Sequence, residues 1–398
     1  MRRAPLVHAL SLALALALAG AVACSSGPTA PVVVPAFDKQ TLDATFRAEG
    51  IAVFDVDQDG HLDLVTDQTW YAGPALTPHE IRAPETYDAA SSYSHCQAVF
   101  AEDVDGDGWT DAVVVPFPST VASPATSPMF WYQNPAGADV HWTPHVVSPV
   151  SGVETTILVD LFDDGHRVVV TGLEPPLVLA WFTPGSDPTQ PWVEHPISAA
   201  GFPGAGHFVH GLGAGDVDGD GRLDVLTGYG WFQQTGDRDA WVWHDVPFAP
   251  DQCSDMRTYD VNGDGLADVL CSRPHAYGLH WLEQQPGGTF VDHVIDDTVS
   301  QMHALELADL DDDGVPEIVS GKRWWAHGPT GDPGATDPAV LVTYALARDG
   351  QGGATFTRRD VDADSGIGTQ FTTADVDGDG KRDIVVSSKK GTFFFRQR

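Results

Sequence analysis

The sequence predicts an all-β fold, and three observations predict it. Glycine and proline are abundant, with 41 and 29 residues in a chain of 398, and aromatic residues make up 10%. Such a composition is typical of short strands joined by turns, and disordered chains lack that aromatic content. A nine-residue acidic pattern also recurs along the chain, and short β-type apolar runs follow its copies. We therefore expect a set of small, repeated sheets.

The first 23 residues predict a secretory signal peptide. Arg2 and Arg3 precede an apolar run from about residue 9 to residue 23, which is too short for a membrane-spanning helix. Residues Ala21–Cys24 resemble a bacterial lipobox, although Ala21 stands where leucine is usual. The resemblance implies acylation of Cys24, a tether over residues 24–36 and, from Ser25, sorting to the outer membrane. The alternative is ordinary signal cleavage without a lipid.

The acidic pattern D-x-[DN]-x-D-G-x-x-[DE] divides the rest of the chain into repeats. A seventh, altered copy starts at Asp160 and has Phe162 and Val168 at its third and ninth positions. Successive copies start 44 to 66 residues apart, a period that suits one four-stranded blade of a β-propeller. The chain is therefore expected to form a seven-bladed β-propeller over residues 37–398. The six intact copies are Asp55–Asp63, Asp103–Asp111, Asp216–Asp224, Asp260–Asp268, Asp309–Glu317 and Asp375–Asp383.

The alternating acids of these loops predict calcium sites. Calcium prefers six to eight oxygen ligands, and the glycine at the sixth position allows a tight turn. An EF-hand is excluded, because the twelfth position is never acidic and strands rather than helices follow. About six calcium ions are expected; acidic turns without metal would leave carboxylates repelling one another. The predicted ligands are Asp55, Asp57, Asp59, Asp63, Asp103, Asp105, Asp107, Asp111, Asp216, Asp218, Asp220, Asp224, Asp260 and Asn262.

Further motifs complete each predicted blade. An aromatic pair such as Trp131-Tyr132 follows most loops, and then comes a motif like W-x-x-H-x-[IV]. The motif's histidines recur on the predicted outermost strand, so we interpret them as packing residues rather than ligands. The last copy ends before its outer strand, and residues Phe37–Leu42 resemble the missing motif, with Gln40 in place of histidine. An N-terminal strand is therefore expected to complete the last blade, which removes exposed strand edges.

These loops and blades resemble the FG-GAP/VCBS repeats, which also form the propellers of integrin α-subunits. The resemblance covers roughly residues 37–398. It implies a calcium loop between the first and second strands of each blade. The copy that starts at Asp160 departs at two ligand positions, so its loop is expected to be empty or weak.

Charge and cysteines restrict the partners and the compartment. The formal net charge is −35, which disfavours binding to nucleic acid. An exported protein can keep a disulfide, and Cys253 and Cys271 are spaced like cross-strand neighbours. The spacing leaves it open whether they are bridged. Cys96 has no evident partner.

The face opposite the acidic loops is the predicted ligand site. Counting back six residues from the first acid of each copy locates the other mouth of the ring. Loops joining second to third strands emerge on the same face, and one of them carries adjacent basic and aromatic residues. Aromatic rings can stack on a sugar, and neighbouring polar groups can bind its hydroxyls. Such a face therefore suits a carbohydrate ligand. The candidate residues are Glu49, Gln97, Glu154, His210, His303, Arg323, Trp324 and Trp325.

Two function classes remain open at the level of sequence. The first is a calcium-binding propeller on the cell envelope that acts as a binding module for a carbohydrate or protein ligand. No nucleophile, zinc-protease or phosphate-loop motif is present, so no catalytic residue can be assigned. The alternative is an enzyme, a lyase or hydrolase of modified sugars, that uses the face opposite the calcium loops. A solvated mouth without a ligand is the third possibility.

Overall fold

The computed structural model describes residues 35–117, 127–248 and 253–398. The predicted signal peptide, Cys24 and the tether as far as residue 34 lie outside the described residues. Among the described residues, none lies in a helix with the length and apolar character that crossing a membrane requires.

The described residues form 28 strands and one short 3-10 helix, Pro203–Ala205. The strands are β1 (Phe37–Asp43), β2 (Ala52–Phe54), β3 (Asp63–Val65), β4 (Thr69–Ala72), β5 (Thr77–Glu80), β6 (Ala98–Glu102), β7 (Asp111–Val115), β8 (Met129–Gln133), β9 (Thr143–Ser148), β10 (Ile157–Val159), β11 (Val168–Leu173), β12 (Val178–Thr183), β13 (Val193–Pro196), β14 (Leu212–Gly215), β15 (Asp224–Thr227), β16 (Gly230–Gln234), β17 (Trp241–His244), β18 (Met256–Tyr259), β19 (Asp268–Ser272), β20 (Tyr277–Gln285), β21 (Thr289–Ser300), β22 (Leu305–Ala308), β23 (Glu317–Gly321), β24 (Leu341–Arg348), β25 (Ala354–Asp362), β26 (Thr372–Ala374), β27 (Asp383–Ser388) and β28 (Gly391–Gln397).

These strands make seven antiparallel four-stranded sheets, which confirms the seven-bladed propeller. Blades 1 to 6 each use four consecutive strands, from β2–β5 to β22–β25. Blade 7 has the order β1-β28-β27-β26, so the N-terminal strand forms its outer edge, as predicted. In the register of this last pair, Gln40 lies opposite Phe394 and Phe37 lies opposite Gln397.

The hydrophobic core lies between the blades. Seven apolar clusters occupy the described residues, and each combines side chains from two neighbouring blades. One cluster joins Leu64 and Tyr71 of blade 1 to Val385 and Phe394 of blade 7, so the ring is closed by packing as well as by strand pairing. Second strands are buried on both faces and consist largely of β-branched residues; β7 (Asp111–Val115) is an example.

The recurring histidines pack on the tryptophans of the neighbouring strand. In five blades the two rings are stacked, with centroids 3.7 to 4.6 Å apart. In blade 7, where Gln40 replaces the histidine, Lys39 Nζ instead lies 4.5 Å from the Phe393 ring centre. This geometry supports packing as the role of the motif. The stacked pairs are Trp70–His79, Trp131–His145, Trp181–His195, Trp231–His244 and Trp281–His293.

Candidate functional site

All seven acidic loops join the first strand of a blade to its second strand. Because the blades repeat around one ring, these loops share one face, which we call the acidic face. The first acid of each loop organises the turn through backbone donors. Asp55 Oδ2 accepts a hydrogen bond from Gly60 N at 3.0 Å, and Asp216 Oδ2 accepts one from Gly221 N at 2.9 Å. Gly60 and Gly221 have φ values of 90° and 88°, which explains the glycine at the sixth position.

The ninth acid of each intact loop is a buried structural anchor. Asp63 accepts hydrogen bonds from the backbone of Val56 and of Gly73, both at 2.7 Å. Its carboxylate thus links the loop to the end of the third strand. Burial, together with the charges of Asp57 and Asp55, raises the pKa of Asp63 to about 6. Burial, together with the charges of Asp105 and Asp107, likewise raises the pKa of Asp111 to about 7.

The oxygens of these loops are placed as a cation would require. In at least three loops, one carboxylate oxygen from each of the first, third and ninth acids lies within 4.8 Å of the others. Such a cluster of hard oxygen donors fits calcium, with its 2.3–2.6 Å bonds. The neighbouring carboxylates, which share one loop, add to the effect of burial in raising the pKa of the ninth acid. The three triads are Asp55, Asp57 and Asp63; Asp103, Asp105 and Asp111; and Asp216, Asp218 and Asp224.

The altered loop of blade 3 has different partners. Phe162 packs edge-on against Trp181, with ring centroids 4.9 Å apart. Arg238 from blade 4 lies 4.3 Å above the Phe162 ring and donates to Asp164 Oδ2 at 2.6 Å. An aromatic ring and a guanidinium thus occupy the neighbourhood in which the other loops present further acids.

On the opposite face, which we call the central mouth, Arg323 joins two buried carboxylates. Its Nε and Nη2 donate to Glu49 Oε1 and Oε2 at 2.7 and 3.2 Å, and its Nη1 donates to Glu154 Oε2 at 3.3 Å. All three side chains are buried. Burial raises the pKa of Glu154 despite the neighbouring guanidinium. The rings of Phe117 and Tyr93 lie 4.7 and 5.4 Å from the guanidinium carbon.

Three histidines meet beside this ion pair. His210 Nε2 lies 2.9 Å from His275 Nε2 and 3.7 Å from Glu154 Oε2. His303 packs edge-on against both other rings, with centroids 5.2 Å from each. His275 comes from the loop between β19 and β20, whereas His210 and His303 precede the first strands of blades 4 and 6.

Asp332 lies on the outer side of the histidine group and contacts two imidazole rings. Its carboxylate lies 3.4 Å from His275 Nδ1 and 3.0 Å from His327 Nδ1. The hydrogen bond to Asp332 raises the pKa of His327, and contact with the two imidazoles holds the pKa of Asp332 well below its usual range despite partial burial. The rings of His275 and His327 are stacked at 4.6 Å.

The remaining predicted site residues lie at the margin of this group. Trp324 and Trp325 are half-buried and stack on each other at 3.9 Å, and Lys390 Nζ lies 4.3 Å from the centre of the Trp324 ring. Trp325 Nε1 donates to the Ala335 carbonyl at 2.7 Å. Gln97 is buried, and neither of its amide atoms has a hydrogen-bond partner.

Two cavities adjoin the central mouth. A central cavity of about 250 Å³ has walls from several blades and includes Glu154. A second cavity of about 310 Å³ lies between blades 1 and 2 and is called the side pocket. The side pocket is lined by Asp67, Arg82, His95, Val114, Pro116, Phe117, Ser127, Pro128, Phe130 and Tyr132.

A family model described as an FG-GAP-like repeat matches residues 260–320, the segment from the acidic loop of blade 5 through that of blade 6. This segment is therefore similar to an FG-GAP-like repeat. The match confirms the predicted resemblance, and the acidic pattern of the FG-GAP repeat recurs at the same place in the other blades. Comparison with curated proteins finds no match.

Three solved structures with low sequence identity are similar to this chain. The structure of BBS1N in complex with ARL6DN has a TM-score of 0.53 and 10% identity, over 92% of this chain and 96% of that one. An Agrocybe aegerita lectin that recognises non-reducing terminal N-acetylglucosamine has a TM-score of 0.44 and 14% identity, over 89% and 90%. The V. cholerae biofilm matrix protein Bap1 has a TM-score of 0.38 and 18% identity, over 66% of this chain and 38% of Bap1. The similarity to the BBS1N structure concerns the fold alone.

Proposed function

We propose that the chain is a calcium-loaded binding module of the bacterial cell envelope, and that it takes a carbohydrate on the face opposite the acidic loops. The observation that carries the proposal is the side pocket. Phe117, Phe130 and Tyr132 contribute aromatic rings to a cavity large enough for a sugar residue. A concave site with aromatic walls and a few fixed polar groups is what sugar recognition needs.

The polar groups of the side pocket are preorganised. Arg82 donates to Asp67 Oδ2, while Asp67 Oδ1 is buried and has no hydrogen-bond partner. His95 Nδ1 lies 3.2 Å from Glu85 Oε2. An acceptor without a partner beside a guanidinium and an imidazole can satisfy the hydroxyls of a bound sugar. Phe117 also packs on Arg323, so the side pocket adjoins the predicted ligand residues of the central mouth.

Calcium and export are parts of the same proposal. The three oxygen triads of the acidic face support calcium as the cation that holds the loops. The basic and apolar leader and the lipobox-like residues Ala21–Cys24 support export and anchoring through a lipid on Cys24. A ring fixed to the envelope by a flexible tether would present its binding face to extracellular or periplasmic glycans.

A glycan array probed with the full chain in calcium tests the sugar proposal. Phe130→Ala should weaken binding at least about tenfold, or about 1.4 kcal/mol, because it removes a stacking ring. Phe356→Ala is the matched control, since Phe356 is also a half-buried phenylalanine but lies on the outer strand of blade 6. Equal glycan binding by both variants, or binding to protein ligands alone, would reject the side pocket as a sugar site.

The histidines and carboxylates of the central mouth favour a second candidate, an enzyme acting on modified sugars. Glu154 and His210 are adjacent and next to a cavity, as a general acid–base pair would be. The test is to incubate the chain with each sugar that it binds and with unsaturated or anhydro analogues. Loss of turnover in Glu154→Gln with binding retained supports catalysis, and recovery of every sugar unchanged rejects it.

A further inference from the structure

We propose that His210, His275 and His303 form a site for one divalent transition-metal ion, with zinc as the probe. The site lies at the central mouth, on the face opposite the acidic loops, and its ligands are nitrogen rather than oxygen. Imidazole suits zinc and its first-row neighbours, whereas calcium prefers carboxylates and carbonyls. This inference goes beyond the proposed function, because it requires no bound sugar.

The spacing of the three rings matches such a site. One ring nitrogen from each histidine lies within 4.8 Å of the other two. His210 Nε2 and His275 Nε2 are 2.9 Å apart. Two nitrogens bound to one tetrahedral zinc at about 2.0–2.1 Å would be roughly 3.3 Å apart. A small rotation of either ring would therefore admit the ion.

The polar groups on the outer side of two rings, His303 and His275, leave a lone pair of each ring for a metal. His303 Nδ1 lies 3.0 Å from the carbonyl of Gln301 and must donate to it, so Nε2 carries the free lone pair. That Nε2 is buried and has no hydrogen-bond partner. His275 Nδ1 lies 3.4 Å from the carboxylate of Asp332, which favours a proton on Nδ1 and a lone pair on Nε2. A carbonyl behind His303 and a carboxylate near His275 match the usual support of a metal-bound histidine, whereas His210 Nδ1 has no hydrogen-bond partner.

Burial favours the metal-binding form of these residues. His210 and His303 are buried. Desolvation disfavours the charged imidazolium, and neutral imidazole is the form that binds metals. The Glu154 carboxylate, 3.7 Å from His210 Nε2, is available as a fourth ligand or as a partner of a bound water.

Metal analysis of the purified full chain tests the site. The protein is stripped with a chelator for transition metals in excess calcium, so that the acidic loops stay filled, and is then dialysed against limiting zinc. We expect one zinc per chain besides calcium. His303→Ala and His210→Ala should each lower zinc affinity at least about a hundredfold, and Asp332→Ala should lower it roughly 10–100-fold.

His293→Ala is the matched control. His293 lies on the outer strand of blade 5, where its ring stacks on Trp281 of the neighbouring strand and its Nε2 contacts Glu283 rather than other histidines. It should leave zinc affinity unchanged. Calcium content and melting temperature show whether each variant is folded. If the variants do not fold, X-ray absorption spectroscopy of the cobalt-loaded wild-type chain replaces them. Nitrogen ligands around the cobalt would support the site, and oxygen ligands alone would overturn it. Absence of stoichiometric zinc, or equal affinity in folded His303→Ala, also overturns it.

Discussion

Arg323 is the residue on which the central mouth depends, because one guanidinium neutralises two buried carboxylates. Ion pairs in such a position contribute little over apolar packing, but removing one partner leaves an uncompensated charge in the interior. The side chain is also enclosed by Phe117 and Tyr93, which fixes its orientation. Arg323 is therefore an organising residue that holds Glu49 and Glu154, and it is buried away from the solvent.

Arg323→Met should lower the free energy of unfolding by about 3–5 kcal/mol, since Glu49 and Glu154 would lose their partner. Urea unfolding in saturating calcium measures the effect. Arg398→Met is the control, because Arg398 and Asp38 form an exposed pair worth about 0–1 kcal/mol. The loss should shrink when Glu49 and Glu154 are both replaced by glutamine. Equal destabilisation by Arg323→Met and Arg398→Met would contradict this account.

Glu306, on the first strand of blade 6, should make stability depend on pH. Burial raises its pKa to about 7, although Thr373 donates to its Oε1 at 2.7 Å. The unfolded chain, with a glutamate pKa near 4.5, loses the proton first as the pH rises. The free energy of unfolding therefore falls as the pH rises from 4.5 to 7, by up to about 3 kcal/mol, and stays lower above pH 7.

Glu306→Gln should remove this loss. Its stability relative to wild type should rise from pH 4.5 to pH 8, as measured by urea unfolding in saturating calcium. Glu194→Gln, on the outer strand of blade 3, is an exposed control whose profile should stay parallel to wild type. Parallel profiles for Glu306→Gln as well would show that Glu306 titrates normally in the folded protein.

At the residue scale, five residues of the central mouth were predicted from the sequence, and His275, His327 and Asp332 were not among the candidates. Glu49, Glu154, His210 and His303 could be found by counting back from the acidic loops, because the first strand has a nearly constant length in every blade. Their burial and their pairing with Arg323 could not be predicted, since Arg323 lies in a long loop without repeated spacing. His275 could not be predicted either, because it lies in the loop between β19 and β20, which also lacks repeated spacing.

At the scale of the element, the acidic loops differ in what surrounds them. The intact loops combine a first acid that organises the turn with a ninth acid that links the loop to the third strand. The altered loop keeps the first, since Asp160 Oδ2 accepts from Gly165 N at 2.9 Å, but places Phe162 and Arg238 near the turn. The turn geometry therefore persists without the full ligand set.

This difference predicts the calcium stoichiometry. Wild type should bind about six calcium ions, and Asp57→Ala should bind one fewer, because it removes a carboxylate from an oxygen triad. Asp160→Asn should leave the number unchanged, since its loop lacks two ligands. Equilibrium dialysis with metal analysis counts the ions. An ion lost in Asp160→Asn would show that the altered loop is occupied.

The disulfide between Cys253 and Cys271 ties the segment before β18 to β19 within blade 5. The sequence left this pairing open, because spacing alone does not set the distance between two strands. The Cys253→Ser/Cys271→Ser double variant should lose about 2–4 kcal/mol of unfolding free energy, through the larger entropy of its unfolded chain. Urea unfolding measures the loss, and dithiothreitol should destabilise wild type but not the variant. Cys96→Ser, at the buried free thiol, controls for substitution itself.

At the scale of the whole molecule, the repeat made the fold predictable. Each blade has the same strand order, and each apolar cluster is shared by neighbours, so a count of acidic loops fixed the number of blades. The outer strand of blade 7 was also predictable, since Phe37–Leu42 resembles the motif that the last copy lacks. The side pocket was not predictable, because loop residues that do not recur with the repeat, such as Arg82, His95 and Pro128, line much of it.

Chelation of calcium should lower the melting temperature of the whole propeller. Each ion contributes about 2.7 kcal/mol when its free concentration is a hundred times its Kd. Six divalent ions also add twelve positive charges to a chain whose net charge is −35, which relieves self-repulsion. Calorimetry with calcium and with EGTA measures the shift. Added sodium chloride should restore only part of it, and an unchanged melting temperature would refute bound calcium.

The closing strand β1 also governs the order in which the molecule can fold. Its partner β28 lies at the other end of the sequence, so β1 stays unpaired while a chain that emerges N-terminus first adds six blades. Contacts between such distant segments form slowly, because a long loop must be closed first. Until then, the outer edge of β28 is unpaired, and the apolar cluster between blades 7 and 1 is incomplete. We therefore expect newly made molecules to pass through an open state whose unpaired strand edge favours aggregation until the two ends of the chain meet.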